Sequence, residues 1–305
     1  MVETKSKKRV GILRGGTGKH YAHSLKKGGE IISYISEKLS DKYKVIDILV
    51  DKDYIWHLGG VPINTSDLVN KIDVVWNTTH PSFSNILDSL AIPNVGGSSF
   101  SLENNKDPLR EHLKKSGVQM PRSVILPLYQ KDFDGPRERY SIKKAKEVFE
   151  KFSSPWIVKS FTEDENMGIH LVKTFPELVD SIEDGVKHNK SILVEEFIAG
   201  KVASVHSVSG FRNEDIYTFP LGNSFGSFSS EEKEKLSISA KSLHKNIGNN
   251  HYLKLDFVLN PRGKVYLLQI DGMPDLKPDS HFSQVCESVG AQMHSVVEYI
   301  LENVS

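Results

Sequence analysis

The chain contains a single cysteine, Cys286, so no internal disulfide is available and a reducing cytoplasm is the expected setting. Net charge is missing too. Lys plus Arg and Asp plus Glu are both 39, which leaves no broad field for a polyanion and argues against a nucleic-acid partner. No apolar run approaches the roughly 20 residues that cross a bilayer, so no membrane partner is expected. The polar first nine residues lack the apolar stretch of a secretory signal, and Lys7-Lys8-Arg9 reads as a solvated tail beside a strand. Repeats and low-complexity segments are absent. What is present is ordinary for a globular protein, 38% hydrophobic and 26% charged over 305 residues, enough for two or three compact domains.

The first third alternates strand and helix signals. Residues 9–13 form an apolar strand closed by Gly15-Gly16, and a helix then sets Leu25, Gly28, Ile32, Ile35 and Leu39 at helical spacing. Residues 43–50, 72–76 and 91–95 are further strand-like runs, and such alternation predicts a parallel α/β sheet. The glycine- and serine-rich residues 96–99 mark a first boundary. A helix is expected from Pro108. Residues 155–159 and 169–173 read as a hairpin around the loop 160–168, and Thr174 with Glu177 as a capping box. A strand at 191–197 ends near Gly200, the second boundary. Beyond it, strands are expected at 202–208 and 217–221, then a helix capped by Ser229 and Glu232. A hairpin at 253–270 turns at Asn260-Pro261-Arg262-Gly263, and an amphipathic helix closes the chain. The expected class is α/β, becoming α+β in the later domains, with domains at 1–96, 97–199 and 200–305.

Six segments carry a resemblance, in order and at near-family spacing: 11–17 (GILRGGT, followed by Ser24-Leu25), 91–96 (AIPNVG), 155–159 (PWIVK), 193–197 (LVEEF), 256–258 (DFV) and 266–271 (YLLQID). Together they resemble the D-alanine–D-alanine ligase family. The resemblance implies an ATP-grasp fold, with an N-terminal Rossmann-like α/β domain, a central subdomain and a C-terminal catalytic subdomain, ATP lying between the last two. It implies a cytoplasmic enzyme that activates one D-alanine as an acyl phosphate for attack by the amine of a second, in peptidoglycan precursor synthesis. ATP and Mg2+ are the implied cofactors, amino acids the implied small-molecule partners, and a homodimer the implied assembly.

Carried over residue by residue, Lys106 and Lys159 match the family's phosphate lysines, suited as compact charges on flexible stems. Glu195, Glu196, Phe197 and Ile198 match the segment lining adenine. Asp256, Gln269 and Asp271 match the metal ligands, since hard oxygens bridge metal to phosphate, although acid and amide have exchanged places in the last two. His80 matches a substrate-side histidine, Lys254 a catalytic arginine and Ser280 a serine that holds the second carboxylate.

Departures are equally specific. His20 stands where the family anchors the first ammonium with glutamate. Asp275 replaces an oxyanion-hole glycine, where a carboxylate opposes developing negative charge. Lys254 keeps a charge but loses the bidentate fork. The phosphate loop carries Glu163, Asp164 and Glu165; two like charges about 6 Å apart repel by roughly 3 kcal/mol at an effective dielectric near 20. Between Leu221 and Ser229 there is neither the lysine nor the tyrosine of the family's lid. Three readings therefore stand side by side: the family ligase, a ligase with a changed substrate, and a catalytically degenerate homologue acting as a binding or regulatory protein.

Overall fold

The computed structural model describes residues 6–16, 21–80, 82–96, 99–100, 108–161, 167–221, 227–248 and 251–304. The chain opens with β1 (Lys8–Gly15), α1 (Tyr21–Lys38), β2 (Tyr43–Val50), β3 (Trp56–Leu58), β4 (Val61–Ile63), β5 (Val74–Asn77), α2 (Ser82–Ser89), β6 (Asn94–Gly96) and β7 (Ser99–Phe100). It continues with α3 (Pro108–Lys115), β8 (Ser123–Leu126), α4 (Tyr129–Asp132), α5 (Arg137–Lys151), β9 (Trp156–Ser160), β10 (His170–Val172), α6 (Phe175–Lys187) and β11 (Ile192–Glu196). It ends with β12 (Lys201–Ser209), β13 (Ile216–Thr218), α7 (Ser230–Ile247), β14 (Tyr252–Leu259), β15 (Val265–Asp271), α8 (His281–Ser288) and α9 (Met293–Glu302). Two compact units result. One holds Met1–Phe100, Ala203–Asp256 and Ile270–Ser305; the other holds Ser101–Val202 and Phe257–Gln269. Among the described residues no helix is long and apolar enough to cross a membrane.

In the first unit a six-stranded sheet runs in the order β4-β3-β2-β1-β5-β6. β1 pairs in parallel with β2 and β5, and β5 with β6, as the alternating pattern predicts. Because β1 is followed by β2 on one side and flanked by β5 on the other, the topology reverses between β1 and β5. In such sheets ligands bind beyond the carboxyl ends of the strands at this switch point. The β3–β4 hairpin turns at Gly59 (φ 58°) and Gly60 (φ 86°), a tight turn with two left-handed residues. The buried stripe of α1 is Ser24, Gly28, Ile31 and Ile35, continued by Leu39, while Leu25 and Ile32 are half-buried. The expected stripe was thus rotated by one position at its start and middle, because hydrophobicity alone overlooked a serine with hydrogen bonds to make. β6 starts at Asn94 rather than residue 91, since Ala91 adopts φ 53°.

One hydrophobic core joins Val10, Ile12 and Ile35 to Val208, Phe219, Phe282, Val296 and Ile300, which is why the chain's two ends fold into one unit. The sheet of order β13-β12-β14-β15-β7 supplies the later strands. β13 is shorter than the expected 217–221 strand. The Ser229–Glu232 capping box starts α7 as expected.

The second unit is an antiparallel sheet of order β10-β9-β11-β8, its core including Val158, Val172, Ile182 and Val194. The β9–β10 hairpin and the Thr174–Glu177 capping box form as read from the sequence. β8 and α5 were not anticipated.

Candidate functional site

At the switch point the chain is shaped by glycine and hydroxyl groups. Gly15 (φ 91°) leaves no room for a side chain, as a Cβ there would lie 2.2 Å from the Val50 carbonyl. The Gly15 amide donates to Ser24 Oγ at 2.9 Å, Ser24 Oγ lies 3.0 Å from Thr78 Oγ1, and Thr78 Oγ1 donates to the Leu13 carbonyl at 2.9 Å. This buried hydroxyl chain ties α1 to the ends of β1 and β5. His80 follows, exposed, with Nδ1 accepting from the Ser82 amide at 3.2 Å. A neutral His80 therefore carries its proton on Nε2, free of that turn.

β14 and β15 carry the charged groups of this unit. Lys254 and Asp256, two residues apart on β14, share a face, and Lys254 Nζ lies 3.3 Å from Asp256 Oδ2. Ser204 on β12 donates to Asp256 Oδ1 at 2.5 Å. Asp271, at the end of β15, accepts from the Met273 amide at 2.9 Å. Burial pushes its carboxyl above the usual range, opposed by that amide and by the nearby Lys27 and Lys254. A half-buried carboxylate with one amide donor and lysines nearby is chemically suited to a divalent ion. Asp256 and Asp271 thus offer hard oxygen donors. Gln269 is exposed and belongs to the second unit, and among the described residues no group of three or more His, Cys, Asp or Glu is arranged to hold a metal.

Ser280 is buried at the start of α8. Its hydroxyl donates to the Asp275 carbonyl at 2.8 Å and accepts from the Ser283 amide at 3.2 Å, the geometry of a helix N-cap. The Asp275 carboxylate turns back to accept from the Lys277 amide at 3.3 Å.

In the second unit Lys159 on β9 and Glu195 on β11 form a diagonal cross-strand pair, Nζ 3.0 Å from Oε2. Glu196 faces the other way. Arg122 grips it bidentately, both contacts at 2.9 Å, and holds its carboxyl below the usual range. The Glu196 and Phe197 amides donate to Arg122 and Pro155 carbonyls, which fixes the segment leaving the sheet. Phe197 is exposed and Ile198 half-buried. Lys106, His20, the acidic residues Glu163 to Glu165 and the lid segment 222–226 lie outside the described residues.

Sequence reasoning did not single out Arg122, Ser204, His206, Tyr252 or His281. Only the alternation of polar residues along β12 and β14, Ser204 and His206 facing Tyr252, Lys254 and Asp256, carried a signal.

Known proteins share this fold. The D-alanine–D-alanine ligase of Fervidobacterium nodosum is 22% identical over 333 positions, spanning 96% of this chain and 98% of that protein. D-alanyl-alanine synthetase A of Vibrio cholerae shares the fold at a TM-score of 0.71 with 18% identity, over 98% of this chain and 99% of that one. The Bacillus anthracis D-alanine–D-alanine ligase complexed with ATP does so at 0.64 with 19% identity, over 97% and 96%. The mixed α/β architecture is thus that of the ATP-grasp D-Ala ligases. The family model described as the D-ala D-ala ligase C-terminus matches residues 117–226 and 226–302, which include Lys159, Lys254, Asp256 and Asp271, and the chain belongs to that ligase family.

Proposed function

We propose that the protein is an ATP-dependent carboxylate–amine ligase that works through an acyl phosphate, with D-alanine as the substrate suggested by its relatives. The observation that carries this reading is the meeting, in one unit, of Lys254, Asp256 and the half-buried Asp271. A cation beside hard oxygen donors is what transfer of phosphate to a carboxylate requires.

In this reading a donor carboxylate oxygen attacks the γ-phosphorus of ATP, releasing ADP. The acceptor amine then attacks the acyl carbon, loses a proton and expels phosphate. Lys254 stabilises the negative charge that gathers on the carboxylate and phosphoryl oxygens. Asp256 and Asp271 would hold Mg2+, which when bound neutralises phosphate charge. His80, whose Nδ1 accepts from the Ser82 amide, offers an Nε2–H donor at the switch point. Lys159 serves the nucleotide phosphates. Its pairing with Glu195 is no obstacle, because partly exposed ion pairs contribute about 1 kcal/mol or less and a triphosphate carries several charges. The ATP in the Bacillus anthracis relative supports the choice of nucleotide.

A second reading, a binding or regulatory protein, draws on the internal engagement of Ser280 and Glu196. Melting with magnesium and ADP separates the two. Nucleotide at 100 times its Kd adds about 2.7 kcal/mol of stability, so a clear rise in Tm is expected, and Lys159→Ala removes it. No rise at millimolar nucleotide would eliminate the ligase reading.

A further inference from the structure

Tyr252, His206 and His281 take no part in the reading above. Tyr252 on β14 and His206 on β12 are buried, at 4% and 2% exposure, and His281 is the first residue of α8. Their polar atoms form a line. The Tyr252 hydroxyl is 2.7 Å from His206 Nδ1, and His206 Nε2 is 2.8 Å from His281 Nδ1. Phe282 packs on both inner rings, with centroids 5.3 Å from His206 and 5.2 Å from Tyr252.

The line has a direction. Burial and the nearby carboxylates Asp271, Asp256 and Asp275 keep the phenol protonated. It donates to His206 Nδ1. An imidazole that accepts at Nδ1, and that burial and Lys254 keep neutral, carries its proton on Nε2 and donates it to His281 Nδ1. The same rule puts the His281 proton on Nε2, with burial and Lys254 again favouring the neutral ring.

The line also has a place. β12 neighbours β14, and the Ser209 amide donates to the His251 carbonyl while Ser204 donates to Asp256. Both contacts fit one antiparallel register, and it sets His206 across from Lys254. A lysine is a point charge on a flexible four-carbon stem, so its aim depends on its surroundings. Here the residue across from it is a ring with both nitrogens engaged, which cannot compete for Asp256.

We propose that Tyr252, His206 and His281 form a one-way hydrogen-bond relay that holds Lys254 on Asp256, making the three positioning residues for carboxylate activation. The role rests on the ligase reading. The direction of the relay does not, since it is read from the hydrogen-bond line and the burial of its rings.

The test uses the full chain labelled with 15N-histidine. Nitrogen NMR near pH 7.5 should give His206 and His281 as neutral Nε2–H tautomers, and Tyr252→Phe should move the His206 ring nitrogens. A proton on His206 Nδ1 overturns the relay whether or not the protein turns over. Tyr252→Phe deletes one oxygen, and its amino-acid-dependent phosphate release should show kcat about tenfold lower with the ATP KM within twofold. In a Lys254→Ala background the same change should cost nothing more, which a purely structural role would not produce. Parent-like kcat in Tyr252→Phe, or an equal loss in both backgrounds, overturns the positioning role. If the parent shows no amino-acid-dependent release, the ligase reading fails and takes the positioning role with it, while the NMR result still decides the relay.

Discussion

Lys254 and Asp256 lie on one face of β14 with Nζ 3.3 Å from Oδ2, and the other carboxylate oxygen is held by Ser204. The pair is part of a polar surface rather than an isolated ion pair. Asp271 feels the Lys254 charge, as do His206 and His281. Changes at any of these residues should therefore be felt at the others.

Asp271 is the first place to look for stability given up for function. Burial raises its carboxyl pKa, so at neutral pH its ionised form destabilises the fold. Asp271→Asn keeps an oxygen for the Met273 amide and removes the charge. Its Tm should rise by a few degrees, on the order of 1 kcal/mol, while ATP-dependent turnover falls at least 100-fold. Calorimetry and a phosphate assay on one preparation check both halves.

Ser280 tests whether a matched residue is also a structural one. Its hydroxyl caps α8, so Ser280→Ala should cost about 1 kcal/mol in urea unfolding. Ser280→Asp, which can cap but cannot donate to the Asp275 carbonyl when ionised, should recover part of the loss. A Ser280→Ala variant as stable as the parent would contradict the capping assignment.

One buried and two half-buried histidines set the acid limb of stability. His206, His251 and His281 have folded pKa values below their ordinary 6.5. Above pH 6.5 both folded and unfolded forms are neutral and stability is full. Below it the unfolded chain takes protons that the folded one refuses, so stability falls as pH drops toward the folded values. For the wholly buried His206 the slope approaches 1.4 kcal/mol per pH unit. Asp271, with its carboxyl raised by burial, acts in the opposite sense, losing stability as pH rises through its folded value. Melting between pH 7.5 and 5.5 should show a falling Tm, and His206→Asn should flatten the fall even though it lowers stability overall.

What was legible in the sequence was local. The capping boxes at Thr174 and Ser229 and the Asn260 turn, whose side chain accepts from the Arg262 and Lys264 amides, are written within a few residues. So was the β9–β10 hairpin. The Gly59-Gly60 hairpin was just as local and was passed over, because its strands are only three residues long. The stripe of α1 was offset because Ser24 is buried for its hydrogen bonds rather than its hydrophobicity.

The site was legible only in part, for a different reason. Lys254, Asp256 and Asp271 could be placed through motif order. Their surroundings could not, since Ser204, His206 and His281 come from distant points in the chain. Nor does a sequence say which groups are already engaged. Glu196 bound by Arg122 and Ser280 bound to Asp275 are statements about geometry.

Amino-acid-dependent phosphate release from ATP tests the central claim most directly. With magnesium, saturating ATP and D-alanine, the account predicts steady release that stops when the amino acid is withheld. It also predicts a fall of about 100-fold or more in Lys254→Ala, the order expected when a charge-stabilising group is lost. Release that ignores the amino acid, or none above background with any amino acid supplied, would contradict it.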